Sequence, residues 1–324
     1  MTWWTWRRYR SQTAWTLAPF ALLAAWMLYT GRQLSQQYHH LGIAHCLTTG
    51  GSCSDAVNAF LDSHHGYAFL IPLFLVMPAL IGMFWGAPLL ARELETGTYR
   101  LAWTQSVSRR RWLTAHLIQI SAAVMLLAGL FAWLVSWWSG PLAGAGQDRI
   151  KPGTFDLRGI VPVGYTLFAL TLGVAAGVIL RRTVPAMVAT ITGFAAVRLL
   201  VALVLRPHYA HPIITTMPFD TGHGPSSSDW VLRSHTVDKF GHYLGSGNSI
   251  NLNLVGHTCA PPGTVGGKQG SMEACVRALG AHVISTVQPV GRYWTFQTIE
   301  TAIFLSLAAA LTGLTYWWVT RELG

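Results

Sequence analysis

Long runs of apolar residues constrain this chain more than any other feature of its sequence. A helix needs about 20 mostly apolar residues to cross the roughly 30 Å hydrocarbon layer of a membrane. Six segments qualify, near residues 14–29, 67–90, 114–138, 160–180, 184–205 and 294–320. Only 10% of the residues are charged, against about 25% in a typical soluble domain. The sequence therefore predicts an all-α polytopic membrane protein with six transmembrane helices.

The placement of arginine predicts how these helices are oriented. Arginines cluster in the short segments before the first span, between the second and third, between the fourth and fifth, and after the last. Short basic segments remain on the cytoplasmic side of a membrane. Both termini are therefore expected in the cytoplasm of a multi-pass protein. The same rule accounts for the net charge of +10. We therefore expect the chain to contact membrane lipid and not nucleic acid.

All four cysteines fall in segments that this topology places outside. Cys46 and Cys53 lie in the first outside loop, and Cys259 and Cys275 lie in the last. Disulfides persist outside the cytosol, so two bridges are expected, with four free thiols as the alternative. Of three possible connectivities, Cys46–Cys53 with Cys259–Cys275 is the shortest. The loop 207–293 is too long for a structureless connection. It is predicted to form a disulfide-containing extracellular cap between helices 5 and 6.

The histidines raise the possibility of a metal site. Twelve of the 13 lie in loops expected outside, and histidine is the commonest metal ligand. A membrane enzyme with an extracellular metal site is therefore one alternative function. The chain has no HExxH or CxxC spacing, however, which favours solvated residues of the cap. It also has no Walker-type phosphate loop and no GxSxG nucleophile. We therefore expect no catalytic residue, metal or cofactor in this chain.

Two ionisable residues interrupt the apolar helices. Arg198 lies in the fifth span and Glu300 in the sixth. A charge at membrane depth costs at least about 2.5–3.5 kcal/mol on insertion scales, so each needs a partner or water. Counting along the two antiparallel helices places both residues about 10 Å below the outer surface. The equal depth predicts an intramembrane ion pair. The alternative is that each faces a wet cavity separately and contacts substrate.

The densest charge in the chain lies between the second and third spans, in the segment 91–113, ARELETGTYRLAWTQSVSRRRWL. Glycine readily ends a helix, so a short helix along the inner membrane surface is expected after Gly97. The residue order resembles the same segment of bacterial ABC exporter permeases of the type-2 class. The matching residues are Glu93, Glu95, Gly97, Thr98, Ser108, Arg109 and Trp112. The last span resembles one branch of that family at Trp294, Phe296, Gln297 and Glu300.

The resemblance implies a transport function, not an enzyme activity. Two six-span chains, expected as a homodimer, would form a pathway in the bacterial plasma membrane. Two copies of a separate cytoplasmic ATPase would bind ATP and Mg. The segment 91–113 would couple the ATPase to the spans. The coupling residues would be Glu93, Glu95, Gly97, Thr98, Tyr99, Leu101, Trp103 and Arg109.

The resemblance covers the expected transmembrane domain, residues 1–206 and 294–324, but not the cap 207–293. It therefore leaves the cargo open. A non-transporting sensor built on the same scaffold is a further alternative. In the fourth span, Gly173 and Gly177 form a small-xxx-small face that permits close helix approach. That face is a candidate for the dimer contact, although such faces also pack within one chain.

Overall fold

The computed structural model describes residues 2–49, 53–64, 66–67, 70–96, 109–146, 149–219, 228–247, 249–251, 275–276 and 278–321. The chain forms two compact units. Unit 1 comprises Met1–Gly146, Gly153–Arg198 and Gln297–Gly324, and unit 2 comprises Gln147–Pro152 and Leu199–Phe296. Unit 2 includes the segment predicted to form the cap.

Helices dominate the described chain. In order they are α1 (Thr2–His40), α2 (Ile43–Thr49), α3 (Ser54–His64), α4 (Leu70–Ile81), α5 (Ala87–Thr96), α6 (Arg109–Trp138), α7 (Gly140–Gly146), α8 (Thr154–Leu157), α9 (Val161–Leu180), α10 (Thr183–Leu200) and α11 (Tyr293–Arg321). A π-helical turn, Gly82–Gly86, joins α4 to α5. A second π-helical turn and a 3-10 turn, Val201–Leu205 and Arg206–His208, continue α10.

Five helical segments of the described chain are long and apolar enough to cross a membrane. They are Leu70–Arg92, Leu117–Trp138, Val161–Leu180, Thr183–His208 and Val290–Arg321. Each coincides with one of the predicted second to sixth spans. The predicted first span, 14–29, lies inside the long helix α1, and its crossing of the membrane stays a prediction. These features make the chain a multi-pass membrane protein.

Glycines allow the second and fourth spans to pack backbone against backbone. A Cβ atom on Gly82 would lie 2.3 Å from the carbonyl oxygen of Ala169, and one on Gly173 would lie 2.4 Å from that of Gly82. Likewise, a Cβ on Gly177 would lie 2.6 Å from the oxygen of Ala87. The small-xxx-small face of α9 therefore packs within the chain, and its prediction as a dimer contact is wrong. This packing makes α9 the most buried of the five spanning segments.

The segment predicted to form the first outside loop packs against the helices of unit 1. Phe60 on α3 belongs to a buried cluster with Met27, Phe74 and Trp138. Within this cluster the indole N–H of Trp138 donates to the Thr30 hydroxyl at 2.9 Å, so the buried polar atom is satisfied. Cys46 and Cys53 form a disulfide between α2 and the start of α3. This confirms the predicted local bridge.

Unit 2 contains a four-stranded antiparallel sheet, so the all-α class holds for the spanning helices but not for the chain as a whole. Its strands are β1 (Ile213–Pro218), β2 (Trp230–Val237), β3 (Tyr243–Ser246) and β4 (His282–Gln288), in the order β1-β4-β2-β3. Their sequences, such as HVISTVQ in β4, are rich in β-branched residues, which favour strands.

Three hydrogen bonds within unit 2, from the side chains of Gln288 and Arg292, reinforce the pairing of β1 with β4. The Gln288 side-chain amide donates to the carbonyl oxygens of Pro207 and Ala210, at 3.2 and 2.7 Å. The Arg292 guanidinium donates to the carbonyl oxygen of His211 at 2.6 Å. These bonds join the chain that leaves the fifth spanning segment to the chain that enters the sixth.

The second predicted disulfide is only partly visible. Cys275 is disulfide-bonded, whereas Cys259 lies outside the described residues. The Cys259–Cys275 pairing therefore stays a prediction.

Candidate functional site

A cleft in unit 1 lies among α1, α4 with its π-helical turn, α6, α8, α9 and α10. It contains about 580 Å³ outside protein atoms, part of which is open. Its walls are apolar and aromatic, and include Phe20, Phe74, Met77, Trp85, Ala128 and Phe131. Asp156, Tyr165, Thr166 and Arg198 line a polar part of the same cleft.

Asp156 is the centre of this polar part. Its side chain is 7% exposed, and Oδ1 accepts a hydrogen bond from the Tyr165 hydroxyl at 2.9 Å. Oδ2 accepts the backbone N–H of Gly153 at 3.1 Å. Gly153 has φ of 90°, a conformation that favours glycine. The guanidinium of Arg198 lies 3.5 Å from Oδ2 and also lies over the Tyr165 ring, 4.9 Å from its centre.

The two charges expected to pair are linked through this centre. Arg198 forms its ion pair with Asp156, and the carboxyl group of Glu300, which is fully buried, forms a hydrogen bond with the same Tyr165 hydroxyl. The structure therefore joins Arg198 to Glu300 through Asp156 and Tyr165. We name these four residues the polar cluster.

Sequence reasoning missed two members of the polar cluster. Asp156 stands four residues before the predicted fourth span, among loop residues, so it was not counted as a charge at depth. Tyr165 lies inside that span, where an aromatic ring is expected among apolar neighbours. The run GTFDLRG, which places an acidic residue directly before an apolar helix, was the available signal.

Gln297 fixes the start of the fourth span against the sixth. Its side-chain oxygen accepts the backbone N–H groups of Ile160 and Val161, each at 3.0 Å. Its side-chain nitrogen donates to the carbonyl oxygens of Phe155 and Arg158, at 3.1 and 3.0 Å. Gln297 thus satisfies amide groups that a helix start leaves without partners, and it positions α9 beside the polar cluster.

A separate contact lies at the end of α5. The Glu95 carboxylate accepts the hydroxyl of Thr183 at 2.8 Å and its backbone N–H at 3.3 Å. The hydrogen bond from the Thr183 hydroxyl and the bond from its amide, with the charge of Arg182, hold the pKa of Glu95 below its usual value. A carboxylate at a helix N-terminus is stabilising, so Glu95 caps α10 from another helix.

The other predicted coupling residues remain untested. Glu93 lies in α5 and Arg109 begins α6, but their side chains are not described. Gly97, Thr98, Tyr99, Leu101 and Trp103 lie outside the described residues. Thr183, the partner of Glu95, was not singled out by the sequence.

The described residues contain no group of three or more His, Cys, Asp or Glu side chains that could hold a metal ion. Several of the histidines considered above are among the residues that the structure describes, including His208, His211 and His282. Two of these three contact backbone carbonyl oxygens through Nδ1. The His282 Nδ1, for example, lies 3.2 Å from the carbonyl oxygen of Gly280.

The apolar helices and the cleft between them define a multi-pass membrane protein. Residues 17–206 match the family model described as ABC-2 membrane transporter related. Because the match covers more than half of the 324 residues, the chain belongs to this family of ABC-2 type permeases. No curated protein and no solved structure matches the sequence.

Proposed function

We propose that this chain is the permease subunit of an ABC exporter. The observation that carries the proposal is the family match over residues 17–206. The match contains three of the five spanning helical segments and nearly all of a fourth, the segment 91–113, and every residue that lines the cleft. In this proposal a pair of these chains forms the pathway in the plasma membrane of a bacterium, with both termini in the cytoplasm. ATP and Mg are bound by two copies of a separate cytoplasmic ATPase.

The proposal assigns the segment 91–113 to ATPase docking. The segment begins in α5, which packs closely on α9 through glycine. A displacement of α5, where this segment starts, would therefore be transmitted to α9 in unit 1. Glu95 would pass the same displacement to the start of α10 through Thr183. A lever of this kind requires that the ATPase bind two positions of the segment with different affinity.

The test is purification of the tagged chain from its own membranes, followed by measurement of ATP hydrolysis in liposomes. We expect an ATPase subunit in the complex. Replacing Thr98, Leu101 and Trp103 together with aspartate should lower retention of that subunit more than about tenfold, because each buried unpaired charge costs more than 1.4 kcal/mol. ATP hydrolysis by the purified complex should fall with it.

A matched control places three aspartates on unit 2, at the exposed residues Ile214, Phe240 and Tyr243. This variant should keep both the ATPase and the hydrolysis rate. Equal loss in the two variants, or a structure of the complex with the segment 91–113 facing lipid, would exclude the proposed docking.

A further inference from the structure

We propose that the cleft binds a single-chain amphiphile whose head group carries an uncharged oxygen acceptor, such as an amide or an ester. The alkyl chain would lie against the aromatic walls, and the head-group oxygen would accept hydrogen bonds from Arg198. The proposal that this amphiphile is the exported cargo rests on the proposed function, whereas its binding does not.

The first argument concerns the hydrogen-bond donors of Arg198. A guanidinium has five N–H donors. Among the described residues, its hydrogen bond is from Nη1 to the carbonyl oxygen of Leu75, at 2.8 Å. Its contact with Asp156 is longer, at 3.5 Å, and its side chain is 13% exposed where it lines the cleft. Unused donors at membrane depth are costly, so oxygen atoms of a ligand or of water are required there.

The second argument concerns charge. The charged residues that line the cleft, among those described, are Arg198 and Asp156, which carry opposite charges. An anionic head group would approach Arg198 beside the Asp156 carboxylate, with the Glu300 carboxyl joined to it through Tyr165. A cationic head group would meet the guanidinium itself. An uncharged acceptor satisfies the remaining donors without either repulsion.

The third argument concerns the walls. Phe74, Met77 and Trp85 come from the second span and its π-helical turn, and Phe131 faces them from α6. Phe74 and Phe131 pack edge to face, with ring centres 5.4 Å apart. Aromatic and thioether side chains offer a large apolar surface. Ala128, on the same wall, leaves space where a larger residue would project into the cleft.

The experiment uses the full chain in phosphatidylcholine nanodiscs, without the ATPase. Three photoreactive alkyl probes with the same diazirine-bearing chain end in a primary amide, a carboxylate or an ammonium group. We expect the amide probe to label peptides from the second span and α6 saturably, with competition by excess unlabelled amide. The carboxylate and ammonium probes should label these peptides more weakly.

Two variants and a control locate the site. Ala128→Leu should lower amide labelling at least about tenfold by filling the cleft. Ala123→Leu, the same change at an exposed position of the same helix, should leave it unchanged. Arg198→Lys keeps a positive charge beside Asp156 but removes the planar set of guanidinium N–H donors. This variant should lower amide labelling roughly fivefold to tenfold, which is the effect of losing one or two hydrogen bonds.

Different results would overturn the binding site, the head-group assignment and the proposed function. Labelling that Ala128→Leu leaves unchanged, or that never saturates, overturns the site. Equal or stronger labelling by the carboxylate or ammonium probe overturns the head-group assignment. A chain that binds the amide probe as expected but retains no ATPase and shows no coupled hydrolysis overturns the proposed function and leaves the binding site standing.

Discussion

At the scale of single residues, the polar cluster shows why one buried charge seldom stands alone. Arg198 has the Asp156 carboxylate on one side and the Tyr165 ring on another. Asp156 in turn accepts bonds from Gly153 and Tyr165. Removing one charge leaves the other buried without compensation, while removing both does not.

We therefore predict that Arg198→Met and Asp156→Asn each lower the free energy of unfolding by roughly 3–5 kcal/mol, and that the double variant loses less than the sum. Asparagine keeps an acceptor for Tyr165, so the comparison isolates the charge. Thermal unfolding in one detergent measures all four proteins. Additive losses would show that the two residues are not an energetic pair. Exchange of charges between Arg198 and Glu300 is a weaker test, because the two are linked through Asp156 and Tyr165.

At the scale of helices, close packing of the second and fourth spans depends on the absence of side chains. Gly173 and Gly82 bring the two backbones together where no Cβ atom fits. The π-helical turn Gly82–Gly86 lies in this contact. Turns of that type insert one extra residue per turn and often occur at functional positions.

Gly173→Ala should destabilise unit 1 by about 1–3 kcal/mol, because its methyl group would meet the backbone of Gly82. Gly129→Ala is the matched control, since among the described residues no atom outside the adjoining turns of its own helix lies within 4 Å of a Cβ built there. In a helix interior that control should be neutral or stabilising by up to about 1 kcal/mol. Unfolding midpoints of the two variants test the prediction, and equal midpoints would contradict it.

The stability that Glu95 gives to the start of α10 by accepting hydrogen bonds there should depend on pH. Its pKa is lowered in the folded chain, so its stabilising effect is complete above the ordinary carboxyl pKa and is lost as pH falls through the folded value. Amide hydrogen exchange at Thr183 should therefore become faster in acid, after correction for the intrinsic rate. Glu95→Gln should weaken the pH dependence, and adding Thr183→Val should cause little further change. A pH response that survives both substitutions would assign it to another group.

At the scale of the whole molecule, hydrophobic pattern predicted the membrane helices well. The predicted second to sixth spans lie within a few residues of the helices in the structure, because lipid solvation demands a long apolar run whatever the packing. The cleft was less accessible to prediction. Arg198 was found because a charge is conspicuous in an apolar helix, whereas Asp156 was hidden among loop residues that the fold brings to the same place. The sequence predicted a folded cap but not the pairing of its sheet, because the strands are short and β4, which pairs with both β1 and β2, lies far from them in sequence.

The pairing of cysteines is the remaining global prediction. We expect mass mapping without reduction to find Cys46 linked to Cys53 and Cys259 linked to Cys275, with no thiol alkylated in the native protein. Reduction before alkylation is the control that exposes all four. A free thiol at Cys259 in native protein would contradict the second bridge.

The pairing of β1 with β4 has a mechanical consequence. β1 follows the end of the fifth spanning segment and β4 precedes the sixth, and the two strands are in register from Ile213 opposite Val287 to Pro218 opposite His282. The hydrogen bonds from Gln288 and Arg292 also join these two chain segments. Sliding or spreading of these two chain segments would have to break a row of hydrogen bonds together. In a working cycle, the ends of the fifth and sixth spans that enter unit 2 should therefore travel as a single body.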